Sequence, residues 1–370
     1  MIPQLSIIVR LAPLIILLLP RISYALDAKT LFNLAPGNAH GGCDNHLEDI
    51  NFWLDESIVM AEVGIKALQV AQGKVELPKN GFDEKLYAGR LTYAFFRLDS
   101  SSLQEDWDAI QGRFESVQSF LNREAPYPGG EKPWLFCGTD YLVRQEPTDT
   151  ALDSEGKPLP NSPTIQEEYG DLLVGGKVPW WNEYNHHYYF GDEDAGTACD
   201  NDPFMAAAAD TSEPAPFLLF LCPDNINSEF MGNQERLGSL TPAEGTYLYK
   251  MRPRSINIFH ELFHLTIGNA FTDDVTYTLG GIRNGVEDPD TIPLKKTLET
   301  SEEEQENAGP NTENETKLQM LRKNPETYAF FSTAYWYWTQ TYQTGTDGKD
   351  QKAFFPADIA TLIDWDTNLA

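Results

Sequence analysis

The sequence predicts an α+β fold, rich in helix and carrying a small antiparallel sheet. Apolar residues recur at three- and four-residue steps in several long segments, one short apolar run has the length of a strand, and the middle of the chain is punctuated by Pro and Gly. A chain of 370 residues that is 41% hydrophobic and 12% aromatic can bury a sizeable core.

The first 25 residues read as a signal peptide. An apolar run over residues 11–19 is broken by Pro20, and Ser23-Tyr24-Ala25 then supplies the small-x-small pattern of a cleavage site, so the mature chain starts at Leu26. The apolar run is too short to span a bilayer. Residues 26–370 are expected to form one domain. A long helix is predicted over residues 44–71, where Leu47, Ile50, Leu54, Ile58, Ala61, Ile65 and Leu68 form one stripe. Trp107, Ile110, Phe114, Val117 and Leu121 mark a second helix. Residues 137–216, rich in Pro, Gly, Asp and aromatics, read as loops and short strands, and residues 217–221 as a buried strand. A helix starting after Ser255 as cap and ending at Gly268-Asn269 has Ile256, Phe259, Phe263 and Ile267 as its buried stripe. Residues 297–317, dominated by Glu, Asn and Thr, read as an exposed loop. A last helix over residues 325–340 places Tyr328, Phe331, Tyr335 and Trp338 in the core.

Charge narrows the partners. Twenty-seven bases against 56 acids give a formal charge of -29, with no basic cluster to grip a phosphate backbone or an anionic bilayer. Nucleic acid and membrane are therefore excluded as expected partners. Loss of Arg10 and Arg21 with the signal peptide leaves 25 bases and a charge of -31. Export also governs the four cysteines, Cys43, Cys137, Cys199 and Cys222. An oxidising compartment favours two disulfides, three pairings are open, and the lack of a CxxC speaks against a thiolate metal site. Asn314-Glu315-Thr316 is an acceptor site for N-glycosylation, consistent with a secreted, extracellular protein.

One segment carries chemistry. His260-Glu261-Leu262-Phe263-His264 is an HExxH motif, which arises by chance in about one sequence per hundred of this composition. Four residues are one helical turn, so both imidazoles share a face and can share a Zn²⁺, with Glu261 beside them. Zinc lowers the pKa of a bound water from about 15.7 to about 7, and Glu261 can take its proton and pass it to a leaving amine. A catalytic zinc needs a third protein ligand and an open position. Asp274, ten residues past His264, is the candidate ligand, and Tyr277 the candidate donor to the oxyanion of a tetrahedral intermediate. His186-His187 lie in an aromatic loop, and adjacent residues rarely ligate one ion together; His40 and His46 read as surface or capping residues.

HExxH followed by an Asp three residues before a Tyr resembles the aspzincins, the deuterolysin-like and peptidyl-lysine metalloendopeptidases, whose second motif reads GTxxDxxYG. Here Ala270 and Phe271 stand in place of Gly-Thr, Asp274 at the ligand, Tyr277 at the Tyr, and Thr278 in place of the last Gly. The resemblance implies a zincin-like domain enlarged by insertions near 139–215 and 286–318. It also implies the pairings Cys43–Cys137 and Cys199–Cys222. Residues 324–331 are similar to a segment near the family's C-terminus, where acids on the last helix help the lysine-specific branch bind its substrate. Glu326 keeps one such position as a substrate-binding candidate, and Ala329 stands at another.

The expected function is that of a secreted, monomeric zinc endopeptidase acting on protein or peptide. Two rivals compete with it: a non-catalytic zinc-binding or surface-interaction protein on the same scaffold, and a secreted carbohydrate-binding protein with an accidental HExxH.

Overall fold

The computed structural model describes residues 26–77, 82–127, 130–191, 193, 196, 198–201, 206–209, 217–227, 234–287, 316–343, 350–355 and 361–364. The expected signal peptide, Asn314 and most of the loop expected over 297–317 lie outside the described residues.

Helix and sheet are both present, as the sequence predicts. A short helix α1 (Ala28–Leu31) and strand β1 (Asn33–Leu34) lead into α2 (Leu47–Gln72), which packs against α3 (Phe82–Phe96) and α4 (Gln104–Leu121). Helix α2 follows its predicted stripe and stops at Gly73, whose φ of 73° closes the last turn in the left-handed region. Gly64 lies within α2 because a Cβ there would stand 2.5 Å from the Phe114 ring of α4. Helix α3 has no counterpart in the sequence prediction. Its buried Tyr87, Leu91, Phe95 and Phe96 alternate with Leu86 and Tyr93, both 43% exposed, so its apolar stripe is blurred.

Strand β2 (Trp134–Phe136) is followed by β3 (Leu142–Arg144), a short helix α5 (Ile165–Tyr169), then β4 (Val178–Asn182) and β5 (His187–Gly191). β3, β4 and β5 form an antiparallel sheet over a small core of Ala151, Ile165, Trp181 and Tyr188. This accounts for the region read as loops and short strands. His186 stacks on Trp181, and the Nδ1 of His187 faces the Asn185 carbonyl at 2.6 Å.

Helix α6 (Ala198–Asn201), strands β6 (Ala206–Ala209) and β7 (Leu218–Leu221), and helix α7 (Pro223–Asn227) come next. The principal sheet has the order β1-β2-β7-β6. β1, β2 and β7 run parallel and only the edge strand β6 is antiparallel, so the sheet is mixed, not the antiparallel one expected. The period of two divides β2 and β7 cleanly: Leu135, Leu219 and Leu221 join the helical core, while Phe136 and Leu218 join Tyr141 on the opposite face.

The remaining elements are α8 (Ile256–Ile267), α9 (Leu279–Glu287), α10 (Lys317–Leu321), α11 (Pro325–Thr339) and the antiparallel strands β8 (Tyr342–Gln343), β9 (Asp350–Phe354) and β10 (Thr361–Asp364). α8 lies between α2, α4 and α11 on one side and β6 and β7 on the other. Burial on both sides replaces the single stripe expected for it: residues 256–265 are all buried. Ser255 occupies the cap position but makes no capping hydrogen bond, since its hydroxyl donates to the buried Glu56 carboxylate of α2. That carboxylate sits at the helix N-terminus, where the dipole favours negative charge. Behind α8, Phe114, Phe263 and Tyr328 form an aromatic triangle with centroids 4.8–5.8 Å apart, tying α4, α8 and α11 together. Fully burying each such ring is worth roughly 1.5–3 kcal/mol.

Disulfides join Cys43 to Cys137 and Cys199 to Cys222, the pairing that the family resemblance implies. Among the described residues no helix is long and apolar enough to cross a membrane.

Candidate metal centre

His260 and His264 project from the same face of α8, both buried. Gly268, at φ 92°, ends the helix, and the chain turns back so that Asp274 meets the two imidazoles. One Asp274 oxygen, Oδ1, lies 2.8 Å from His260 Nε2 and 3.0 Å from His264 Nε2, and the two Nε2 atoms are 3.3 Å apart. The other ring nitrogens are engaged behind the site. His260 Nδ1 donates to Glu326 Oε2 at 3.2 Å, and His264 Nδ1 donates to Thr272 Oγ1 at 2.7 Å. The Thr272 hydroxyl donates onward to the Gly268 carbonyl, so it accepts from His264.

These bonds assign Nδ1–H to both rings and turn both Nε2 lone pairs toward a carboxylate oxygen. Three acceptors within 3.3 Å repel one another unless a cation, proton or metal, stands between them. Two ligand atoms bound at about 2.0–2.1 Å in a tetrahedral set stand roughly 3.3 Å apart, which is the spacing of the two Nε2 atoms; Asp274 Oδ1 lies closer to both, at 2.8 and 3.0 Å. His260, His264 and Asp274 form the group among the described residues that can hold a metal ion. Asp274 leaves 40% of its side chain exposed, so the centre opens to solvent on that side.

The electrostatics follow from the same geometry. Burial pulls the His260 imidazolium down, but the hydrogen bonds to Asp274 and Glu326 and the charges of Glu261 and Glu326 outweigh it and raise its pKa to about 10. Burial likewise opposes ionisation of Asp274, and the two imidazoles overcome it, holding the carboxyl well below the usual range. A metal-free site therefore carries a proton on His260 at neutral pH. That proton must leave before Nε2 can ligate, so metal affinity should rise about tenfold per pH unit below about pH 10. Calorimetry in buffers of different ionisation enthalpy should find at least one proton released per metal bound; a pH-independent affinity would contradict this charge arrangement.

Glu261, beside His260, points to the edge strand. Its carboxylate is buried and accepts from the Ala208 N–H of β6; burial, only partly offset by the two imidazoles, raises its pKa above the ordinary carboxylate value. Asn269 Nδ2, just past the end of α8, donates to the Ala208 carbonyl at 3.3 Å. Tyr277 lies across the centre. Its ring stacks on His260 with centroids 5.6 Å apart, its hydroxyl donates to Asp274, and 56% of it is exposed. Burial and the Asp274 charge keep the phenol protonated, hence a donor.

Glu326, expected at the substrate, stands elsewhere. It is 1% exposed, with Oε2 on His260 Nδ1 and Oε1 3.1 Å from the Arg252 guanidinium. It holds the His260 ring from behind, and its burial leaves it closed off from solvent. Replacing it by Gln should weaken metal binding about 10–100-fold, the usual effect of losing such a partner. Chelator competition measures this, and an unchanged affinity would assign the pair a purely structural role.

The loop carrying Asp274 is fixed by residues to which the sequence reading gave no role. Buried Asn324 accepts from Val275 N–H at 3.2 Å and donates to the Thr276 carbonyl at 3.1 Å, gripping the chain just after Asp274. Arg113 of α4 donates to the Phe271 carbonyl at 2.7 Å just before it. Comparison with protein-family models, characterised proteins and solved structures returns no match.

Proposed function

We propose that the chain is an exported zinc endopeptidase with a zincin-like catalytic domain. The observation that carries the reading is the convergence of His260 Nε2, His264 Nε2 and Asp274 Oδ1 within 3.3 Å, with both Nδ1 atoms engaged behind them. The donors fit zinc chemically: two neutral imidazoles and a carboxylate, with one side open. When bound there, zinc acidifies water and polarises a peptide carbonyl.

The chain's own residues supply the remaining functions. Glu261 acts as base and then acid: its raised proton affinity suits it to remove a proton from water and return it to the leaving amine. The Ala208 N–H holds that carboxylate in place. Tyr277, protonated and facing solvent over His260, turns its one O–H from Asp274 to the oxyanion of the tetrahedral intermediate. Glu326 and Thr272 fix the rings so that neither can rotate its Nε2 away. A protein or peptide substrate approaches from the side on which Asp274 and Tyr277 are exposed. Both disulfides suit an oxidising compartment, which agrees with the leader read in the sequence.

Cleavage of denatured casein tests the reading. Wild-type protein should cleave it, a chelator should abolish cleavage, and zinc should restore it. Zinc binding without cleavage would point to the non-catalytic rival on the same scaffold.

A further inference from the structure

A second site lies at the start of the described chain, remote in sequence from the metal ligands. The backbone nitrogen of Leu26 donates to Asp55 Oδ1 at 2.8 Å, and that of Ala28 donates to Asn51 Oδ1 at 2.8 Å. Asn51 and Asp55 are one turn apart on α2 and present their oxygens on one face. Ala28, Leu31 and Phe32, at most 1% exposed, dock the segment between these contacts and the core. Leu26 is thereby held at a fixed point against α2. Asp55 is partly buried, and burial raises its carboxyl above the ordinary range although the Leu26 N–H draws it back. A neutral backbone amide offers such a carboxylate one hydrogen bond, and a charged donor in the same place would hold it more strongly.

The sequence supplies a charged donor. Ser23-Tyr24-Ala25 is a cleavage pattern, and Leu26, the residue that follows it, is the one whose nitrogen meets Asp55. We propose that cleavage after Ala25 creates a charged α-amino group at Leu26 and that Asp55 is its receptor, so that processing locks the new N-terminus onto α2. Water hydrolyses the Ala25–Leu26 amide, leaving a carboxylate on Ala25 and an amine on Leu26. With an ordinary pKa of about 7.7–8.0, that amine takes up a proton at neutral pH and turns the amide hydrogen bond into an ion pair. Placement of the cut rests on the exported half of the proposed function; the Asp55 receptor does not, and neither depends on metal or peptidase activity.

Two measurements test it. N-terminal sequencing of protein recovered from the medium after expression with its own leader should read Leu26-Asp27-Ala28. A different first residue would overturn the assignment of the cut, whereas a chain retained inside with its leader would contradict the export reading itself. Separately, a fusion cleaved to leave Leu26 first should be compared with the same chain bearing one added Gly, each with and without Asp55→Asn. Thermal unfolding should show the Leu26-first chain losing about 2 °C or more on Asp55→Asn, and the extended chain losing clearly less. Equal losses in both backgrounds would mean that Asp55 serves only the backbone amide, and would overturn the receptor whatever the sequencing shows.

Discussion

Glu261→Gln should reduce casein cleavage by about 10²–10⁴-fold while leaving the metal content of the protein unchanged. The amide keeps the shape and can still accept from the Ala208 N–H, but it cannot carry a proton from water to the leaving amine. Stability separates this from misfolding. The Glu261 carboxyl is raised by burial, so in the metal-free protein its contribution is fully present below the unfolded pKa and declines as pH rises toward the folded one. Gln removes that decline, and metal-free Glu261→Gln should be at least as stable as wild type at pH 7 by thermal unfolding. Retained cleavage would remove Glu261 from the mechanism.

His260→Ala should weaken metal binding by more than about 100-fold, beyond the effect expected for its partner Glu326, because it deletes a ligand and not merely its support. It removes three contacts together: the Nε2 that faces Asp274, the Nδ1 bond to Glu326, and the ring on which Tyr277 stacks. Glu326 keeps Arg252 as its counter-charge, so the variant should still fold. Competition against a chelator of known affinity gives the number. A loss no larger than that of Glu326→Gln would mean that His260 is not a ligand.

The parts of the site legible in the sequence are those whose geometry is set by local chain distance. His260 and His264 share a face because α-helical periodicity puts them there, and Asp274 and Tyr277 follow within one turn-back of the chain. The supporting residues are set by tertiary packing, which no spacing encodes. Glu326 reaches His260 across 66 residues, and Asn324 reaches Val275 across 49. Ala208 contributes through its backbone N–H, so its side chain could not announce it. Ser255 is a favourable cap by residue type, yet Glu56, 199 residues away, claims its hydroxyl. The fold divides in the same way. α2 and α4 carry apolar stripes and α8 and α11 are apolar nearly all round, whereas α3 hides its stripe under exposed Leu86 and Tyr93. The parallel pairing of β1 with β2 and of β2 with β7 joins strands separated by about 100 and 84 residues, a register that local pattern does not specify.

Mass-spectrometric metal analysis of wild-type protein purified without chelators, beside Asp274→Ala prepared identically, weighs the whole constellation at once. The expected result is one zinc per wild-type chain and a strongly reduced content in Asp274→Ala, whose ligand oxygen is gone. Wild-type protein that neither retains zinc nor takes it up on addition, or an Asp274→Ala variant that holds it equally well, would contradict the site formed by His260, His264 and Asp274.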